Sequence, residues 1–147
     1  GFFELASGLE NSAKSKKDQE ESLNTYLYII TEAPREDAKN PEEPNPLLPK
    51  ASFATGLLLY KMGDYLPALD HLSNIIMKYK NSEYVDDAIY LSGRIYEEGS
   101  SGKLRNLERA KQYYKMFLDK KTQKNFRDSI YLKEVEKRFS NLNSTKF

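Results

Sequence analysis

The chain has 147 residues, 39% of them hydrophobic and 31% charged, with a net charge of +1. That length supports a domain with a real core, that balance is globular rather than disordered or fibrous, and no apolar run approaches the roughly 20 residues a bilayer span requires. There is no cysteine, which excludes disulfides and thiolate chemistry but does not choose between a reducing and an oxidising compartment. Charge is unevenly spread: residues 1–102 carry a net of −7 and residues 103–147 a net of +8. Such a layout steers partners or favours head-to-tail association. The opening Gly1-Phe2-Phe3 has no initiator Met and no leader pattern and reads as the start of a fragment.

Apolar residues recur at helical spacing almost throughout. A first helix is predicted over about Phe2–Lys14, with Phe2, Leu5, Ala6, Leu9 and Ala13 on one side. Asp18 and Glu21 have the spacing of a capping box and open a second helix, which carries Leu23, Tyr26, Leu27 and Ile30 and stops at Pro34. Residues 34–49 hold five of the six prolines and must be a loop. Its two PxxP spacings, Pro41–Pro44 and Pro46–Pro49, leave a surface insertion and a docking segment both open. Helix three covers about Lys50–Met62. Asp64 is the expected cap of helix four, which ends near Lys80, with Pro67 tolerated in its first turn. Asn81 or Ser82 should cap helix five, ending near Glu98. After Gly99-Ser100-Ser101-Gly102, Asn106 should cap helix six, running to about Lys120. Helix seven is expected from about Asn125 to Asn141.

Small residues sit where paired helices would touch. Gly56 is followed by a Gly63-Asp64 turn, then by Ala68, Leu72 and Ile75; Gly93 is followed by Ala110, Tyr114 and Phe117. Three openings align: Lys50–Gly56, Asp87–Gly93 and Asp128–Glu134. They are spaced by 37 residues (Gly56 to Gly93) and 41 residues (Tyr90 to Tyr131). These periods lie a little above the 34 residues of a common helical-pair repeat, and an insertion at 99–105 accounts for the second.

On these residues the chain resembles the tetratricopeptide repeat (TPR) family. The likeness covers about residues 50–139 closely and 2–34 weakly; there is no Trp, and Lys80 stands where a proline is usual. Ser82–Tyr96 looks like the linker and helix of TPR-type bacterial envelope proteins such as the outer-membrane barrel-assembly lipoprotein and the Tol-Pal coordinator. The resemblance implies an all-α fold: antiparallel hairpins in a short right-handed solenoid of about seven helices. It implies a single domain over 1–147, with a divergent hairpin at 2–34, the Pro-rich loop at 34–49, repeats at 50–80 and 83–120, and a capping helix at 124–141. It further implies a groove lined by the first helix of each pair, offering Phe53, Leu57, Tyr60, Lys61, Tyr90, Arg94, Tyr131 and Arg138 to a partner. Whether the aromatic column Phe53, Tyr90, Tyr131 is groove or core stays open.

No catalytic constellation can be assembled. His71 is the lone histidine and flanks an apolar stripe; Asp86-Asp87 and Glu97-Glu98 splay across helix faces; Gly99–Lys103 lacks the strand and the first glycine of a phosphate loop. A non-enzyme without cofactor or metal is therefore expected. Its partner would be another protein, in the bacterial periplasm or envelope, with the cytoplasm as the alternative compartment. The alternative function is self-assembly, or docking of a basic patch (Lys103, Arg105, Arg109, Lys111, Lys115, Lys120, Lys121) on an anionic membrane or nucleic acid.

Overall fold

The computed structural model describes residues 1–99, 104–123, 126 and 130–144. Among them the chain is all-α, with helices α1 (Phe2–Asn11), α2 (Lys16–Glu32), α3 (Leu47–Lys61), α4 (Tyr65–Lys78), α5 (Val85–Glu98), α6 (Leu107–Lys120) and α7 (Leu132–Ser144). They fall into two compact units, Gly1–Ser82 and Glu83–Phe147. In the first, α1 packs on α2, α2 on α3 and α3 on α4; in the second, α5 packs on α6 and α6 on α7. No helix of the described residues is long and apolar enough to cross a membrane.

Three hairpins share one register. On the first helix a small residue is buried: Ala6, Gly56 or Gly93. On the second helix a small residue is followed four and seven positions later by two larger ones. These are Ser22, Tyr26 and Ile29; Ala68, Leu72 and Ile75; Ala110, Tyr114 and Phe117, all buried. The small residues are forced by close approach. A Cβ at Gly56 would lie 2.9 Å from Leu72 Cδ2, and one at Gly93 only 2.6 Å from Tyr114 Cε1. In the first hairpin Ser22 fills the small position, and its hydroxyl donates to the Ala6 carbonyl at 2.7 Å, so burial leaves no polar atom unsatisfied.

Helix ends differ from the sequence expectation for identifiable reasons. Ser15, not Asp18, caps α2: Ser15 Oγ accepts from the Asp18 amide at 3.2 Å while Asp18 Oδ2 accepts from the Lys14 amide at 3.0 Å. The cap thus sits three residues earlier than Asp18, and α1 ends at Asn11 rather than near Lys14. Helix α3 begins three residues before Lys50, because Asn45 Oδ1 accepts from the Leu47 amide at 3.0 Å and Pro49 falls in the first turn, where no amide is needed. Pro46, at φ −63° and ψ −16°, is helical rather than extended, so the Pro46–Pro49 spacing is not a polyproline segment.

Asp64 occupies the cap position of α4 without a side-chain bond to the helix. The turn is held by Gly63 instead. At φ +82° it lets the Gly63 amide reach the Tyr60 carbonyl at 3.0 Å and the Asp64 amide reach the Leu59 carbonyl at 2.9 Å, the paired bonds of a left-handed helix stop. Helix α5 starts at Val85, with Tyr84 rather than Asn81 or Ser82 at its cap; the Ser82 amide is spent on the Tyr79 carbonyl at 2.9 Å. Asn106 caps α6 as expected, accepting from the Arg109 amide at 3.0 Å. The expected start of helix seven at Asn125 lies outside the described residues. Tyr131 stands one residue ahead of α7, not on it, and its carbonyl accepts from the Val135 amide at 2.9 Å.

The proline-rich loop folds back on itself. Glu36 and Pro44 form an antiparallel bridge, the Asn45 amide donates to the Arg35 carbonyl at 2.9 Å and Asn45 Nδ2 donates to the Pro34 carbonyl at 2.8 Å. The Arg35 guanidinium donates to the Ile30 carbonyl at 2.6 Å and to Ala33 at 2.8 Å. It closes the end of α2, where free carbonyls attract a cation.

Candidate interaction site

The second unit carries a connected polar array across its three helices. On α5, Glu97 lies four residues after the tightly packed Gly93. Its Oε1 accepts from the Tyr114 hydroxyl of α6 at 2.6 Å and from Arg138 Nη1 of α7 at 3.0 Å. Arg138 Nε also donates to Glu134 Oε1 at 3.0 Å. Glu134 Oε2 accepts from the Tyr90 hydroxyl at 2.7 Å. That hydroxyl in turn accepts from Arg94 Nη1 at 2.8 Å, and Arg94 Nε donates to Glu98 Oε1 at 2.6 Å. The Tyr131 ring stacks on Tyr90, centroids 4.2 Å apart and planes 14° from parallel.

The electrostatics follow from this wiring. Burial pushes the Tyr114 phenol well above its ordinary range, and its bond to Glu97 pushes the same way. Burial likewise raises Tyr90, with Glu134 adding to it. For Arg94 burial works against the charge, but the bonds to Tyr90 and Glu98 outweigh it and raise the guanidinium further. Arg138 behaves alike through Glu97 and Glu134. Burial pushes the Glu134 carboxyl up, and the bonds from Tyr90 and Arg138 reverse that, leaving it below its ordinary value.

The first unit repeats the central piece in reduced form. Glu10 lies four residues after Ala6. It accepts from the Tyr26 hydroxyl of α2 at 2.9 Å and from Lys61 Nζ of α3 at 3.4 Å. Burial and the bond to Glu10 push the Tyr26 phenol up to about 12. A carboxylate on the first helix, a tyrosine on the second and a cation on the third thus recur in both units.

The structure therefore brings Tyr90, Arg94, Tyr131 and Arg138 together around Glu134, as one cluster. Tyr90 takes the core reading of the two: it is 7% exposed. Arg94 and Arg138 keep 25% and 24% of their side-chain surface, and Tyr131 is half-buried. In the first unit Lys61 is the clasp cation, Tyr60 stacks on Tyr65 at 5.7 Å, and Phe53 and Leu57 are half-buried. The carboxylate–tyrosine pairs are what sequence reasoning misses. Their signal is a Glu four residues after the small residue of the first helix, matched by a Tyr four residues after the small residue of the second.

The basic patch is partly engaged. Arg105 Nε donates to the Glu97 carbonyl at 3.3 Å, Arg109 lies over the Tyr96 ring at 5.3 Å and Lys115 pairs with Asp119 at 3.1 Å. Lys111 and Lys120 are half-buried and Lys121 is exposed; Lys103 lies outside the described residues. His71 is half-buried on α4, and burial lowers its pKa against the opposing pull of Asp70.

Comparison with protein-family models, with characterised proteins and with solved structures gives no match. The functional reading accordingly rests on this geometry.

Proposed function

We propose that the chain is a non-catalytic protein–protein interaction module, an adaptor or scaffold of TPR type within a larger bacterial envelope protein on its periplasmic side. The observation that carries this reading is the register common to the three hairpins. Helical hairpins that pack through small residues at fixed positions are the building unit of repeat proteins, whose extended faces hold other proteins. The face offered by the second unit is Tyr131, stacked on the buried Tyr90 and flanked by Arg94 and Arg138. Aromatic and arginine side chains are favoured interface anchors. Their mutual hydrogen bonds fix them in place, so little side-chain freedom is lost on binding.

Tyr131 is the residue to test, because it stands ahead of α7 rather than inside it. Tyr131→Ala should weaken partner capture from a bacterial envelope extract by about 1–3 kcal/mol while the thermal melt moves only a few degrees. Capture that is equal for the parent and the variant sinks the assignment of this face. A second reading, self-assembly, draws on an exposed edge of the first hairpin. There Phe2, Leu5 and Tyr28 are each more than half exposed, and Phe2 meets Tyr28 edge-on at 5.0 Å. Sedimentation at low and high salt separates the two, since pairing of the basic stretch 103–147 of one copy with the acidic stretch 1–102 of another weakens with salt.

A further inference from the structure

We propose that the seat of α7 on the α5/α6 hairpin is an exchangeable helix-docking groove, with α7 as its resident occupant. The partner it fits is an amphipathic helix bearing an acid and an arginine four residues apart, beside two apolar residues seven apart. This goes beyond the interaction reading above: the partner helix takes the place of α7 on the α5/α6 hairpin, which removes the face that Tyr131 and Arg138 complete.

The attachment of α7 is thin. Only Val135 and Leu142 are buried on it, against nine residues on α5 and eight on α3. Phe139 is half-buried, and Lys133, Glu136, Lys137, Ser140, Asn141 and Asn143 face solvent. Leu132 is half-buried as well, and the half-buried polar side chains are charged: Glu134 and Arg138, with 40% and 24% of their side-chain surface exposed. Ion pairs that keep this much water contribute little net stability, so α7 belongs with the elements that open first.

The seat, by contrast, is organised without α7. Tyr114 stays bonded to Glu97, and Arg94 to Glu98 and Tyr90, all within the α5/α6 hairpin. When α7 leaves, Glu97 Oε1 loses the guanidinium at 3.0 Å, and Tyr90 and Arg94 lose the carboxylate that accepts from them. Any helix that returns both charges at the spacing of Glu134 and Arg138, and two apolar side chains at the spacing of Val135 and Leu142, restores the bonds to Glu97, Tyr90 and Arg94 and the two buried apolar positions. An apolar stripe supplies affinity in such helix-in-groove binding, and the flanking charges fix register.

The test uses a fluorescent peptide of residues 130–144 and the full chain. Hydrogen exchange of the parent chain should show α7 amides exchanging about 100-fold sooner than those of α5. The chain carrying Val135→Asp and Leu142→Asp should stay helical over α5 and α6 and bind the peptide more than about tenfold tighter than the parent, in which α7 competes. Arg138→Glu in the peptide should lose that gain. Exchange of α7 in step with α5 overturns the proposal. So does unfolding of the α5/α6 hairpin in the double variant, or failure of the peptide to bind it. No outside partner enters this assay, so its failure leaves the capture result of the preceding section standing, and the reverse holds equally.

Discussion

The two units solve one problem with different chemistry. Each joins three helices through a carboxylate that accepts from a tyrosine and a cation. In the first unit the cation is Lys61, 53% exposed and 3.4 Å from Glu10. In the second it is Arg138, whose planar fork reaches Glu97 and Glu134 at 3.0 Å each. An ammonium on a flexible stem is a point charge; a guanidinium bridges two acceptors in a fixed geometry. The third helix explains the choice. Helix α3 buries eight residues and is held by its apolar face, whereas α7 buries two. Where hydrophobic attachment is small, orientation falls to directional bonds.

The sharpest way to break this comparison is to overpack both hairpins. Gly93→Leu should destabilise by about 3 kcal/mol or more in urea titration, and Gly56→Leu by about 1–3 kcal/mol. The buried Tyr114 ring is fixed by its bond to Glu97 and cannot move aside, whereas the first contact at Gly56 is a leucine methyl. Equal costs would mean that the tyrosine clasp does not stiffen the hairpin.

Next come the cations. Arg138→Ala should cost about 1 kcal/mol, the upper end for ion pairs that keep part of their water. Lys61→Ala should cost no more than about 0.5 kcal/mol, as exposed pairs do. Thermal melts of the two variants would reverse the comparison if lysine proved the costlier loss. Tyr26→Phe and Tyr114→Phe remove a hydroxyl from a carboxylate in each unit and should cost about 1 kcal/mol apiece, read from the same melts.

The smallest effect is in acid. Glu134 in the folded chain titrates below its ordinary 4.5, so its contribution is fully present above that value and is lost as pH falls through the folded one. Glu134→Gln should therefore flatten the acid limb of stability below about pH 4.5. An unaltered acid limb would separate Glu134 from the clasp.

The all-α architecture and two of the three hairpins are legible in the sequence, because Gly56/Ala68 and Gly93/Ala110 announce close approach by side-chain size alone. The first hairpin shows in the sequence only as a divergent one, because its small position is Ser22. A serine reads as surface until its hydroxyl is seen to have the Ala6 carbonyl within reach. Of the residues expected to line a groove, Tyr90, Arg94, Tyr131 and Arg138 lie together in the second unit. Periodicity cannot assign Tyr90 to a face when α5 is buried nearly all round. Glu97 and Glu134 are hidden for another reason: a lone carboxylate on a helix looks solvated until the tyrosine and arginine that claim it arrive from distant positions. The earlier starts of α2 and α3 share one cause, since several residues near each helix start can hold its free amides and only tertiary packing selects among them.

The pinched loop between α2 and α3 has a practical consequence. Its two stems are already fastened by Arg35, Pro34 and Asn45, so the exposed tip around Asn40–Glu42 transmits no strain to the helices. Foreign sequence spliced in there, such as a spectroscopic tag, an epitope or a tether to a solid support, should leave both hairpins of the first unit intact.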